Sequence, residues 1–386
     1  MRTLSSRSKL IEASKIEESL RLVEKEKNII SLGAGEPDFP APKSVIDSAK
    51  KFLNLGYTHY SPLQGKIELR EAISKKLKKE NKIDASPEEI IITCGSKEAI
   101  QLAIMTLVDS GDEVVIPNPS YIAYSPLVKI FGGKVLDLKL EENDNFVINP
   151  DLLKKIITKK TKLLILNTPS NPTGSVLNRK ILEEIADIVV EKDIYVLVDE
   201  AYEKLVYDNE KHVSLASLNG MFEYTITTQT FSKSYAMCGF RIGYAIAKKE
   251  IIKEMKEFKL VTTISPPTAY QLAAIEALKN KKYVEEMRKE YDRRRKMLCR
   301  RLKEIEGIRF NIPKGAFYVF PNISYYGMDS REFADFILKK AKVVVVPGTE
   351  FGKYGEGFVR LSYATSYEKI EEAIDRIEKT LEKLKS

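Results

Sequence analysis

The chain has 386 residues, 43% hydrophobic and 31% charged. It is long enough for more than one domain, and that make-up excludes a disordered or fibrous protein. The formal charge is +8, but lysines alternate with glutamates along helical stretches such as 76–80 and 250–259, which predicts a solvated surface with a mild pull on anionic small molecules rather than a nucleic-acid patch. Three cysteines without a CxxC pair, and only His59 and His212 besides, leave a disulfide framework, a zinc site and a Ser-His-Asp mechanism without their parts. No apolar run reaches membrane-span length and no secretory h-region opens the chain, so a cytoplasmic protein away from membranes is expected.

Residues 4–23 carry apolar positions at helical spacing (Leu10, Ile11, Ile16, Leu20, Val23) and predict an amphipathic helix. A short strand at 29–32 runs into GAGEPDFPAP. Its glycines and prolines bar a regular element, and Gly33 and Gly35 let a ligand approach bare backbone. Helices are expected at 44–53 and 67–79, with the aromatic loop YTHYSPLQG, including Tyr57 and Tyr60, between them. The strand IIIT at 90–93 meets Cys94-Gly95-Ser96-Lys97 and then an apolar helix to Val108. A strand, a glycine turn and a helix N-terminus together present free amides to an anion.

From there strands at 114–117, 134–140, 163–167, 194–199, 225–229 and 242–247 alternate with helices at 120–131, 149–157 and 178–191. LLILN and IYVLVD are apolar nearly throughout, as strands buried on both faces must be. The pattern predicts an α/β fold, a mostly parallel sheet sandwiched by helices. Beyond Pro267 a charged helix is expected over 269–306, then strands near 309–312 and 317–320, a helix at 330–340, the runs VVVVPG and FVRLSYA, and an amphipathic helix to 384. This reads as a smaller α+β domain, which the N-terminal helix joins. Glu290 precedes Arg293 and Arg294 by three and four residues, so the basic cluster 293–295 predicts a solvated helix face.

The stretch TFSKSYAMCGFRIG at 230–243 places Lys233 on a loop between two buried strands, with Thr230, Ser232 and Ser234 beside it and Arg241 beyond. One reading is a surface lysine; the sharper one is a Schiff-base lysine whose neighbours hold a phosphate. Other chemistry-bearing residues fall after strands, where open α/β sheets collect ligand groups. Asp199 ends IYVLVD and Tyr202 follows it; Asn171 lies in NTPSNPTG, Tyr121 after VVIPNP, and Ser96 and Lys97 after IIIT. Each alone also reads as a cap, a turn former or a core aromatic.

These motifs resemble the class I/II pyridoxal-phosphate-dependent aminotransferases of fold-type I, and within them the prokaryotic aspartate and aromatic aminotransferases. The resemblance runs in order through SLGAGEPDF, YTHYSPLQG, GSKEA, GDEVVIPNPSY, NTPSNPTG, VDEAYE, TFSKSYAMCGFRIGY, PKGAFYVFP, VVVVPGTEFG and FVRLSYATS, over nearly the whole chain. It implies a large cofactor-binding domain at 36–280 and a small domain made of 1–35 and 281–386. It implies that Lys233 bonds the aldehyde of pyridoxal 5'-phosphate and later moves the substrate proton, that Asp199 pairs with the ring nitrogen, and that Tyr202 and Asn171 bind the 3′ oxygen. Tyr121 would stack on the ring. Gly95, Ser96, the Lys97 amide, Thr230, Ser232 and Arg241 would hold the phosphate. Tyr60 would reach the neighbouring subunit's phosphate in a homodimer. Arg360, helped by Asn171 and the Gly33 backbone, would grip the substrate α-carboxylate. No metal and no nucleic acid are implied.

The activity expected is ping-pong transfer of an amino group, with aspartate and 2-oxoglutarate favoured and aromatic donors close behind. A β-lyase on the same scaffold ranks below them. A regulator fused to a DNA-binding module ranks lower still, because the chain leaves no room for a winged helix before residue 4.

Overall fold

The computed structural model describes residues 4–11, 26 and 28–384. Seven strands build the central sheet: β1 (Ile90–Thr93), β2 (Glu113–Asn118), β3 (Lys134–Lys139), β4 (Thr161–Asn167), β5 (Tyr195–Asp199), β6 (Thr225–Thr230) and β7 (Gly243–Ile246). They lie in the order β1-β7-β6-β5-β4-β2-β3. β7 runs antiparallel to both its neighbours, and the other ladders are parallel. The expected α/β architecture is therefore observed. Leu163–Leu166 and Val196–Val198 have almost no exposed surface, which accounts for their unbroken apolar sequence.

Several helices are capped by side chains. Asn178 accepts the Ile181 amide at the start of Arg179–Lys192, and Asp193 closes that helix in the left-handed region. Asp329 and Glu332 form a capping box on Ser330–Ala341. Tyr367–Glu382 buries Ile370, Ala373, Ile374, Ile377 and Leu381, one apolar stripe at helical spacing.

The long helix expected over 269–306 is two helices, Thr268–Ala277 and Lys281–Glu304. Asn280 breaks it: its side-chain amide donates to the Glu276 carbonyl and competes with the helical ladder. The expected strand at 309–312 reduces to a single bridge between Arg309 and Asn322. A helix at Lys249–Leu260 follows β7. The helix expected over 4–23 is a 3-10 turn at Ser6–Leu10, and its remainder lies outside the described residues.

The basic cluster departs from expectation in a useful way. Arg293 pairs with Glu290 on the surface, but Arg294 and Arg295 are buried. Arg294 donates to both oxygens of Asp38, which fastens the loop carrying Gly33 and Gly35. Arg295 forks onto Asp208 and Asp292, the bidentate geometry that makes a buried guanidinium tolerable. A second core lies beyond the carboxyl end of β5 and takes in Ala201, Tyr202 and Leu205. Ile30 and Leu32 pack there with Phe317, Val343, Leu361 and Ile374, and Ile30–Ser31 pairs in parallel with Val343–Val344. No helix among the described residues is long and apolar enough to cross a membrane.

Candidate active site

The carboxyl ends of β1, β2, β4, β5 and β6 open toward this second core, and the singled-out residues collect there. Lys233 stands not on a loop but on a one-turn helix, Phe231–Ser234, which Thr230 caps by accepting the Ser232 amide at 3.1 Å. Its ammonium donates to the Gly35 carbonyl at 2.5 Å. Burial lowers its pKa and outweighs Cys238 and Glu36, which raise it, while Arg241 and Arg360 add to the lowering. A lysine with a depressed pKa carries more free amine at neutral pH, the form that attacks carbonyls.

Asp199, at the end of β5, is 4% exposed. Burial raises its carboxyl to about 6, although the Tyr124 hydroxyl and the Ala201 amide both hydrogen-bond the charged form. Asn167 joins two candidate residues: its side chain donates to the Asp199 carbonyl and accepts the Asn171 amide. Tyr202 is buried with its hydroxyl 2.9 Å from that of Tyr318. Tyr121 packs edge-on against Tyr124 at 5.4 Å between ring centroids. A cleft of about 580 Å³ opens on the far side of Tyr121, walled by Ser120, Ser125, Lys129 and Thr349, and Lys233, Asp199 and Arg360 do not line it.

The turn after β1 is bare by necessity. Gly95 has φ +77°, and a Cβ there would lie 2.4 Å from Arg241 Nη2. Across it, a Cβ on Gly243 would lie 2.5 Å from the Gly95 carbonyl carbon and 2.6 Å from the Ser96 nitrogen. Arg241 donates to the Cys94 and Cys238 carbonyls at 3.0 Å each. The Arg241 guanidinium and the first amides of helix Ser96–Leu107 thus meet at one concave turn.

Arg360 on strand Val359–Ser362 is 3% exposed and lies between the rings of Tyr318 and Phe351, 4.3 and 4.9 Å from their centroids. It donates to Asn171 Oδ1 at 3.0 Å and to the Gly33 carbonyl at 2.7 Å, while its Nε is buried with no protein acceptor. An unmet guanidinium donor suits a carboxylate. Tyr60 stands apart from this group and is 81% exposed. Tyr124, Tyr318, Asn167 and Gly243 were not singled out in the sequence. Tyr124 and Gly243 are near-neighbours of residues that were, and burial against the site is what marks them.

Residues 27–377 match the model of the family described as aminotransferase class I and II. An aspartate aminotransferase of Pyrococcus abyssi is 49% identical over 99% of both chains. An aromatic-amino-acid aminotransferase 2 of Thermococcus litoralis is 47% identical, again over 99% of both. The solved aspartate aminotransferase from Thermus thermophilus with maleate superposes with a TM-score of 0.94 at 38% identity, covering 98% of this chain and 100% of that one. This chain belongs to the class I and II aminotransferases. Its cofactor is pyridoxal 5'-phosphate, and the residues present fit it: a reactive amine, a buried carboxylate, and a turn that only glycine allows, ringed by donors.

Proposed function

We propose that this aminotransferase moves the amino group between aspartate and 2-oxoglutarate, giving oxaloacetate and glutamate. The convergence of Lys233, Asp199 and Arg360 at one set of strand ends carries the reading of the chemistry. Substrate choice is supported by the Pyrococcus and Thermus relatives, and by Lys97. Its ammonium lies 5.7 Å from the Tyr121 ring centroid and has no ion pair among the described residues, so it is free to meet a distal carboxylate.

In this reading Arg360 forks onto the α-carboxylate, with Asn171 and the Gly33 carbonyl fixing the guanidinium. Lys233 would hold the cofactor through its amine and, once freed by the substrate amine, would be the base that moves the substrate Cα proton. Bound pyridoxal phosphate supplies the electron sink for the carbanion. Asp199, ionised, would pair with the ring nitrogen and keep it protonated. Asn171 and Tyr202 would hydrogen-bond the 3′ oxygen, and Tyr121 would cover one ring face. Gly95, Ser96, the Lys97 amide, Thr230, Ser232 and Arg241 take the phosphate.

A homodimer is supported by exposed Leu55, Tyr57 and Tyr60 along one groove, with Tyr60 reaching the second subunit's phosphate. The division into 36–280 and 1–35 with 281–386 is supported by the packing of Ile30 and Leu32 into the C-terminal core. A cytoplasmic location accords with both. Aromatic donors are the second reading, favoured by the Thermococcus relative and by the rings of Tyr318 and Phe351 on the site wall. A panel of amino donors against 2-oxoglutarate decides: aspartate should lead phenylalanine and tyrosine in kcat/KM, and the reverse order would replace the proposal with its alternative. Borohydride should fix the cofactor onto Lys233 in the wild type. Lys233→Ala should lose fixation and about 10⁴-fold in turnover.

A further inference from the structure

Behind the candidate site lies a closed polar cluster that none of these roles uses. It begins from strand alternation: Thr230 pairs in register with Gly243 on the phosphate side, so Gln229 pairs with Tyr244 on the other face of the sheet. The Gln229 carbonyl oxygen accepts from Lys76 Nζ at 2.6 Å and Tyr244 OH at 2.5 Å. Its amide nitrogen donates to Glu200 at 2.8 Å and Glu203 at 3.2 Å. Lys76 also meets Glu203 directly. Asn81 donates to Glu203, Ser214 donates to Glu200, and His212 Nε2 lies 3.1 Å from Glu200. Lys76, Glu200, Glu203 and Gln229 are all buried.

The cluster's members are the chain neighbours of the site. Glu200 follows Asp199, Glu203 follows Tyr202, and Gln229 precedes Thr230. Two buried carboxylates three residues apart repel unless a cation lies between them. Burial pushes the Glu203 carboxyl up, yet the ammonium groups of Lys76 and Lys204 outweigh it and bring it to about 2. Glu200, Glu203 and His212 have the spacing of a metal site, but the Lys76 ammonium already supplies the cation there. Lys204 lies 2.7 Å from Glu80 and 4.0 Å from Glu203, whereas Lys76 is the ammonium hydrogen-bonded to both Glu203 and the Gln229 amide.

Resting on the cofactor reading above, we propose that Lys76 is a positioning residue. With Gln229 as spacer it offsets the charge of Glu203 beside Glu200, and so fixes the backbone that presents Asp199, Tyr202 and Thr230 to the cofactor.

The test compares wild type, Lys76→Met, Glu203→Gln and the double variant. Absorbance titration gives the pyridoxal phosphate Kd, and thermal melts are taken without cofactor. Lys76→Met should weaken cofactor binding by about tenfold or more, because a carboxylate is left without its counter-charge. Adding Glu203→Gln should bring Kd back to within about threefold of wild type, a rescue that lost packing alone would not give. A Lys76→Met Kd within about twofold of wild type, or a double variant no better than the single, overturns the proposal. If Lys76→Met yields no soluble protein, the double variant alone decides by the same threefold mark. A wild type that takes up no cofactor on Lys233 sinks the site and this inference together. A wild type that loads normally beside an unaffected Lys76→Met sinks only the latter.

Discussion

The hydroxyl of Tyr124 donates to Asp199 Oδ2 at 2.8 Å, from a ring that is itself 1% exposed. This bond favours the ionised carboxyl against the burial that raises it to about 6. Removing the donor must raise it further. In Tyr124→Phe, cofactor uptake should therefore fall off at a higher pH than the wild type's limb near 6. Turnover should drop roughly tenfold, the scale of a hydrogen bond to a charged group. Uptake followed by absorbance from pH 5 to 8 is the measurement, and superimposable profiles would deny Tyr124 this role.

Asp199 also makes the empty protein less stable than it need be. Its folded value, about 6, lies above the ordinary 3.8. The protonated form is thus favoured by folding, and that stability is present below pH 3.8 and lost as pH rises through 6. Asp199→Asn has no charge to bury and can still satisfy both Tyr124 and Ala201. Without cofactor it should be more stable than wild type by roughly 2–3 kcal/mol at pH 8, with the gap closing toward pH 4. Its carbanion chemistry should be crippled. Melts at the two pH values, and exchange of the substrate Cα hydrogen, read the two halves separately.

What the sequence disclosed divides by physical cause. Strands such as β4 and β5 are legible because burial on both faces forces apolar runs, and Asp199 stands out as the carboxylate that ends one. The Gly95 turn is legible because a glycine between a strand and a helix has few other uses. The one-turn helix under Lys233 is too short to leave a periodic signal. Arg294 and Arg295 look like surface charge until Asp38 and Asp208, far off in sequence, are seen to meet them. The pairing of Gln229 with Lys76 across more than 150 residues has no local signature at all. Tertiary partners, not propensity, decide such positions.

Arg360 holds two acceptors and keeps one donor unmet. Lysine in its place could not fork onto a carboxylate while also holding Asn171 and Gly33. Arg360→Lys should cost roughly 2–5 kcal/mol in kcat/KM for amino acids, as loss of one partner in a buried charge pair does. Cofactor loading should stay intact. A primary amine lacking the α-carboxylate should be converted equally slowly by variant and wild type. If the variant lost amine and amino-acid reactions alike, the guanidinium would be structural rather than a carboxylate receptor.

Lys97 offers the sharpest probe of substrate class, because its backbone and side chain do separable things. Its amide, proposed above to meet the phosphate, survives substitution, whereas its ammonium stands over Tyr121. Lys97→Ala should therefore leave cofactor affinity near wild type. Its kcat/KM for aspartate should fall by about tenfold to a hundredfold, the range of one partly desolvated charge-assisted contact. The value for phenylalanine should hold or rise, since an apolar side chain gains nothing from the exposed Lys97 ammonium and loses nothing with it. The ratio of the two donors, measured in parallel on one preparation, removes any common effect on folding or loading. An unchanged ratio would detach Lys97 from the distal carboxylate and weaken the choice of aspartate itself. A ratio that collapses through aspartate alone would tie the acidic substrate to a named cation at the mouth of the site.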